Sequence, residues 1–454
     1  MIEKLKQMAG NIAADYFDIR YETKRVEQVT MSKKEIRSCG SNLGDGYVLR
    51  VLKNGGLATV SFTKPEQAEL AIKRALENAE VLAANSHTPK KAAVAPIVKA
   101  SIQAKLVEDP RKISLAEKIA LVRHYSDLLF AQPKIANVDI QYYDVYRNKY
   151  FLNSEGSEIN EELVTTKLGA GVVSQEGSLT QTVRMAFGGS NGFHKVRDRE
   201  AEAIERAKIA ADLLKAEPVK AGTYRMILNP GIAGVFTHEA FGHFSEADIV
   251  RDLPALRDKM KIGTKLGTDI LNIIDDATMA DQLGYYQYDD EGVAVRRVNL
   301  MTNGVLTGRL HDRFTAYEMD EPISGHATAE DFRYAPIVRM GNIFIQPGPH
   351  SFEELLASLD DGLYICDAMG GQTSGENFTF GANYGYIVKN GKLHGMIRDI
   401  NIVGNLYSTL NSVAMIGNDF VLDESGGCGK GQTNIRSCLG GPHVLFNNLT
   451  VGGK

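Results

Sequence analysis

The chain has 454 residues, too many for one hydrophobic core and suited to two or three domains. With 43% hydrophobic and 24% charged residues its composition is that of a folded globular protein, which argues against wholesale disorder. A net charge of −5 with no long Lys/Arg block argues against a nucleic-acid partner, and no apolar run approaches the roughly 18–20 residues of a membrane span.

Ile2, Leu5, Met8, Ile12 and Tyr16 recur at three- to four-residue spacing. That pattern predicts an amphipathic helix packed on a core, not a signal peptide. Phe17–Thr30 and Gly46–Phe62 alternate as strands, with a turn at Asn54-Gly55-Gly56. The short basic cluster of Lys33, Lys34 and Arg37 is interrupted by Glu35 and reads as a solvated loop or face. Pro65 opens a helix reaching about Ala84, and residues 87–112, rich in Ala, Pro and Lys, read as a linker. A second helix is predicted over Leu115–Phe130. Strands follow over Val138–Asn153 and Leu163–Phe187, then a helix over Asp198–Ala216 that stops before Pro218.

From Gly222 onward strands dominate. The candidates are Tyr224–Leu228, Ile337–Ile345, Gly362–Cys366, Tyr384–Val388 and Lys392–Val403, separated by glycine-rich turns. The expected class is α+β. An N-terminal α+β domain with a trailing linker spans 1–110, a central α+β domain spans 111–217, and a strand-rich C-terminal domain spans 218–454. The four cysteines, Cys39, Cys366, Cys428 and Cys438, show no disulfide spacing, so a reducing, cytoplasmic setting is expected.

The most informative stretch is GTYRMILNPGIAGVFTHEAFGHFSEAD, residues 222–248. It reads as a strand, then Asn229 as helix cap, Pro230 at the first helical position, and a helix. That helix carries His238, Glu239, His243, Glu246 and Asp248, ionisable groups that are costly to bury unless a metal or protons satisfy them. The common zinc-peptidase helix is H-E-x-x-H, which puts both histidines on one face. Here the motif is H-E-x-x-x-H, and His238 and His243 fall about 140° apart on a regular helix. Both can bind one ion only if the helix is distorted, and Gly242 is a candidate place for a π-bulge or a helix end. A rival set, Glu239, His243 and Glu246, needs no distortion. The remaining alternative is a polar helix face with satisfied histidines. Spacing alone leaves all three open.

At these residues the sequence resembles the TldD branch of the TldD/PmbA family, zinc metallopeptidases once described as modulators of DNA gyrase. The resemblance runs over most of the chain and is strongest in the stretch just quoted, in RMGNIFIQPG (339–348) and in MIGNDFVLDESGGCGKGQ (415–432). It implies that His238, His243 and Cys428 bind zinc and that Glu239 is the general base. It further implies action on unfolded peptides, in leader-peptide trimming or small-protein degradation. Assembly with a second chain of the PmbA (TldE) branch is part of the same resemblance, and a homodimer is the other option.

The chemistry agrees. Two imidazoles and a thiolate leave a fourth zinc position open, the mark of a catalytic rather than a structural site. A glutamate adjacent to a ligand can move the proton of a water. Glu246 and Asp248 are then expected to accept the free ring N–H of a ligating histidine.

Other candidates weigh less. Cys428 can be read as a nucleophile, making the chain a cysteine hydrolase, but no local cysteine-protease signature surrounds it. A non-catalytic binding subunit is the rival from another class. Gly429-Lys430 fails as a phosphate loop, because Glu424 stands where its first glycine belongs and Gly431 replaces Ser/Thr. His311, His326, His350, His394 and His443 read as surface or core residues, and Arg333 and Arg339 as ordinary surface charge. The expected activity is hydrolysis of extended peptides by a zinc-dependent peptidase.

Overall fold

The computed structural model describes residues 1–10 and 12–452. Helix α1 (Ile2–Ala9) buries Leu5 and Ala9; it stops short of Tyr16, which instead opens a strand. Strands β1 (Tyr16–Ser32), β2 (Glu35–Lys53) and β3 (Gly56–Phe62) form a meander. Its tight turns fall at Lys33-Lys34 and Asn54-Gly55, all four at positive φ. The basic cluster is thus a hairpin tip. Helix α2 (Ala68–Ala84) buries an alanine stripe, Ala68, Ala71, Ala75 and Ala79, that lets it sit close to the sheet.

The expected linker is not wholly irregular. Strand β4 (Lys99–Ile102) pairs in parallel with β6 (Glu158–Glu176). Helix α3 (Leu115–Phe130) starts at a capping box of Ser114 and Glu117. Strands β5 (Ile135–Asn153) and β7 (Leu179–Gly189) flank β6, and α4 (Glu200–Asp212) follows.

One sheet, in the order β3-β2-β1-β5-β6-β4 with β7 also on β6, therefore carries both N-terminal segments. They keep separate cores on it, one around Ile19, Leu49 and Ala75, the other around Val122, Ile140 and Val172. Strand periodicity explains what each face does. On β1, Ile19, Val29 and Met31 point to the helices. Arg20 and Glu22 point the other way, as do Arg147 and Lys149 on β5, and all four are buried against the C-terminal part. There Asp290 meets Arg20 (3.3 Å), Arg147 (3.2 Å) and Lys149 (3.2 Å). Arg50 similarly bridges Glu291 (2.7 Å) and Asp18.

The C-terminal part begins with β8 (Glu217–Pro218) and β9 (Gly222–Leu228) and is built on two sheets. In the first, Gly362–Ser374, β9, Val444–Gly452, Ile400–Asn405 and Asn377–Lys389 are neighbours in that order, and the last pairs back to the first. Those five strands close into a ring. The second sheet includes Ile273–Asp275, Asn342–Ile345 and Cys438–Gly441. Two predicted strands are broken. Ile337–Ile345 divides into Ile337–Val338 and Asn342–Ile345, and the run from Lys392 divides at Asp399, which has φ 57°. Helix α5 (Pro230–Phe236) lies between the sheets in the main C-terminal core. Gly234 is required there, because a Cβ would stand 2.6 Å from the backbone of Gly440. Among the described residues no helix is long and apolar enough to cross a membrane.

Candidate metal centre

Helix α5 starts as its sequence predicts. The Asn229 side chain accepts from Ile232 N at 3.1 Å, and its amide donates to Asp367 Oδ1 at 2.7 Å. After Phe236 the helix departs from α geometry. Thr237–Phe241 is a π-helical turn and Gly242–Ser245 a 3₁₀ turn. The wider π turn brings residues five apart toward one side, which removes the objection to the H-E-x-x-x-H spacing. The His238 and His243 rings stand edge to face with centroids 5.2 Å apart. Gly242, just after the π turn, lets the chain pack closely there, since a Cβ would fall 2.3 Å from Met340 Sδ and 2.8 Å from Ile343 Cδ1.

Cys428 arrives from the other side of the site. Gly426 and Gly427, at φ 48° and 95°, turn the chain so that Cys428 pairs with Ile435. Cys428 N donates to Ile435 O (3.1 Å) and Ile435 N to Cys428 O (2.9 Å), forming a tight hairpin. Its Sγ lies 3.7 Å from His243 Nε2, and Glu239 Oε2 is also 3.7 Å from that nitrogen. One donor atom from each of His238, Glu239, His243 and Cys428 falls within 4.8 Å of the others. Thr373 Oγ1 donates to the Glu239 carbonyl at 2.9 Å, fixing this turn to the ring of strands.

The electrostatics suit a cation. Burial pushes the Cys428 thiol up, but hydrogen bonds from His238 and His243 and the charge of Arg339 outweigh it, pulling the thiol down to about 4. Burial pushes His243 down, but Cys428 and Glu246 carry it up to about 9. A doubly charged ion can take the place of the proton on His243 and pair with the Cys428 thiolate. The buried Nδ1 of His238 has no hydrogen-bond partner among the described residues. Two imidazoles and a thiolate form a donor set that favours zinc over magnesium or calcium, and the Glu239 carboxylate stands beside it. The residues fit the ion.

Glu246 is not in this cluster. It is fully buried and meets the opposite ring nitrogen of His243, Oε2 to Nδ1 at 3.1 Å. Glu239 and Glu246 thus approach different nitrogens of one ring, so a single ion at His243 cannot take both. That geometry removes the support for the Glu239/His243/Glu246 set. Burial pushes Glu246 up, but Arg339, His243 and Lys430 hold it down to about 2.

Asp248 requires a correction. It reaches no histidine; its oxygens accept from Lys430 Nζ at 2.8 and 2.9 Å, and Lys430 in turn lies 3.1 Å from Glu246. Arg339 requires another. Far from being surface charge, it is fully buried, 3.5 Å from Glu246. Sequence reasoning missed Arg339 and Lys430 as parts of the site. The available signal was their place inside RMGN and GCGKGQ, beside the candidate ligand. Arg333 is exposed and pairs with Asp331 at 2.7 Å. His326 is a buried structural residue, 3.0 Å from Asp275.

Three sequence profiles match in chain order: PmbA/TldA metallopeptidase domain 1 over 17–82, the central domain over 108–215 and the C-terminal domain over 221–453. The chain belongs to the PmbA/TldD metallopeptidase family. Relatives agree along the whole length. A Synechocystis metalloprotease is 32% identical, covering 97% of this chain and 95% of its own. A zinc metalloprotease TldD homologue of Saccharolobus solfataricus is 32% identical over 99% of both chains. Among solved structures, TldE of Thermococcus kodakarensis shares the fold with a TM-score of 0.78, at 19% identity and 100% coverage of both chains.

Proposed function

We propose that this family member is a zinc-dependent peptidase that hydrolyses amide bonds of extended, unfolded peptides, as in leader-peptide trimming or small-protein degradation. His238, His243 and Cys428 hold the ion and Glu239 is the general base. The observation that carries the reading is the convergence of these four side chains, from the distorted helix and the hairpin, within 4.8 Å. The S. solfataricus relative described as a zinc metalloprotease supports the choice of metal.

Zinc held there would supply Lewis acidity for a peptide carbonyl and for a water. The rest falls to the chain. Glu239, anchored through its backbone by Thr373, takes the water's proton and delivers it to the leaving amine. Glu246 accepts from Nδ1 of His243 and so turns Nε2 toward Cys428. Lys430 and Arg339 keep Glu246 ionised. An extended substrate can pair its backbone with a strand edge, which needs little sequence specificity.

The chain acts as a dimer in this reading, with a second copy or with a TldE-like chain, and works in the cytoplasm. The fold shared with a TldE protein supports the first point, and four free cysteines support the second. The test is elemental analysis of the purified chain beside Cys428→Ala and His238→Ala, with peptide hydrolysis measured on each. One zinc per chain, lost in both variants together with activity, is expected. Zinc retained in full by Cys428→Ala would remove the thiolate from the ligand set.

A further inference from the structure

The second face of the N-terminal sheet does not meet the C-terminal part everywhere. A cavity of about 100 Å³ lies between them. Gly427 and Ile435 wall it on one side, so the hairpin that carries Cys428 is also a wall of this space. Lys24, Arg147, Lys167 and Arg436 line it against a single acid, Glu330.

Two of those cations are already engaged. Arg147 pairs with Glu22 (2.7 Å) and Asp290 (3.2 Å), and Lys24 with Asp331 (3.2 Å). The other two form no ion pair among the described residues. Lys167 donates only to the Gly426 carbonyl at 3.2 Å and lies over the Tyr143 ring. Arg436 donates to the Thr165 hydroxyl and to the Tyr285 carbonyl at 3.1 Å, and its buried Nε has no partner. The neighbouring Glu161 is taken up by Lys149 (3.1 Å) and by Gln287 N (2.6 Å). A guanidinium partly withdrawn from water without an ion-pair partner is costly, and an anion in the cavity offsets that cost. Burial, with Arg147 acting in the same sense, pushes Arg436 down to about 10.

We infer that this cavity is a carboxylate subsite, in which Lys167 and Arg436 take an acidic group of a peptide passing the Cys428 hairpin. The choice of a peptide carboxylate among anions rests on the peptidase reading. The acid is either the peptide's C-terminus or a Glu or Asp side chain, which share the chemistry.

The experiment uses the full chain carrying Glu239→Gln and measures fluorescence anisotropy of labelled oligoalanine peptides. One peptide has a free C-terminus, one a C-terminal amide, and one an amide with an internal glutamate. The free acid or the glutamate peptide is expected to bind roughly tenfold tighter than the plain amide. Which of the two does so identifies the source of the carboxylate. The preference should fall to near parity in Lys167→Met and in Arg436→Gln; Lys167→Met alone suffices if the second variant does not fold. Equal binding of all three peptides, no binding of any, or a preference that survives Lys167→Met and Arg436→Gln overturns the subsite. Failure of the peptidase reading is a separate result: the wild-type chain would leave bound peptides uncut while the affinity ratio persisted.

Discussion

Two of the regions that bury ionisable side chains do so by opposite rules. On the second face of the N-terminal sheet, Asp290 is surrounded by Arg20, Arg147 and Lys149, and Arg50 by Asp18 and Glu291. There the chain supplies its own counter-charges, and the result is a fixed joint between the N-terminal and C-terminal parts. At the metal centre His238, Glu239, His243 and Cys428 turn donor atoms toward one another, and the His238 Nδ1 has no partner among the described residues. A closed network argues for structure. A convergent set of donors short of partners argues for a ligand.

The sharpest way to break this comparison is to remove one carboxylate from each region. Glu239→Gln should lower peptide hydrolysis by about 10²–10⁴-fold, the usual contribution of a general base, without changing bound zinc or the unfolding midpoint. Chelation should abolish wild-type activity and zinc should restore it. Activity that resists chelation but not thiol alkylation would favour Cys428 as a nucleophile and end the metal reading.

Asp290→Ala should do the reverse. Leaving three buried cations short of their acid costs about 3–5 kcal/mol, read as a lower denaturant midpoint, with zinc per folded chain unchanged. The pH dependence has a definite sign. Burial alone would raise the Asp290 carboxyl, but Arg147, Arg20 and Lys149 outweigh it and hold the group far below the usual carboxylate range. A depressed folded value means stability that is present above the unfolded value of about 3.9 and lost as pH falls toward the folded one. The gap between wild type and Asp290→Ala should therefore be constant above about pH 5 and narrow only in stronger acid. A gap that already closes between pH 7 and 5 would show that Asp290 does not carry the joint.

Glu246 tests the border between the two rules, because it is a satisfied, buried carboxylate that touches the metal centre. Glu246→Gln keeps the shape but not the charge facing His243, Arg339 and Lys430. Zinc affinity, measured by competition with a chromophoric chelator, should fall about 10–100-fold. An unchanged affinity would place Glu246 with the structural network and leave His243 oriented by packing alone.

How much of this was legible beforehand follows from the range of each signal. Helix Leu115–Phe130 was readable to the residue because the apolar stripe of Leu115, Ile119, Val122 and Leu129 is a local signal. So was the start of α5, from Asn229-Pro230. The π turn was legible as a need, since five-residue spacing defeats a regular helix; Gly242, the candidate place for a bulge or a helix end, marks where it stops. The continuous N-terminal sheet was not. Its join is β1 against β5, more than a hundred residues apart, and strand alternation says which residues share a face but not what covers it. For the same reason nothing in the sequence showed that Arg20, Glu22, Arg147 and Lys149 would be buried against the C-terminal part. Arg339 was misread because only the tertiary fold brings it to Glu246. Asp248 was expected on a histidine because helix spacing could not foresee Lys430, which arrives from the hairpin.

The smallest predicted effect asks whether the metal helix depends on its own cap or on the sheets around it. Asn229 closes the first turn through Ile232 N and ties it to Asp367, yet all but one of the seven residues of α5 are buried between the sheets. Asn229→Ala should cost about 1 kcal/mol of stability, the ordinary price of a lost cap. Zinc affinity should not change, because the distortion that aligns His238 with His243 lies beyond Phe236, next to the close packing of Gly242 on Met340 and Ile343. A matching loss of zinc would mean that the π turn is held from the cap end. Gly242→Ala would then be expected to matter less than Asn229→Ala, which reverses the order that the packing around Gly242 predicts.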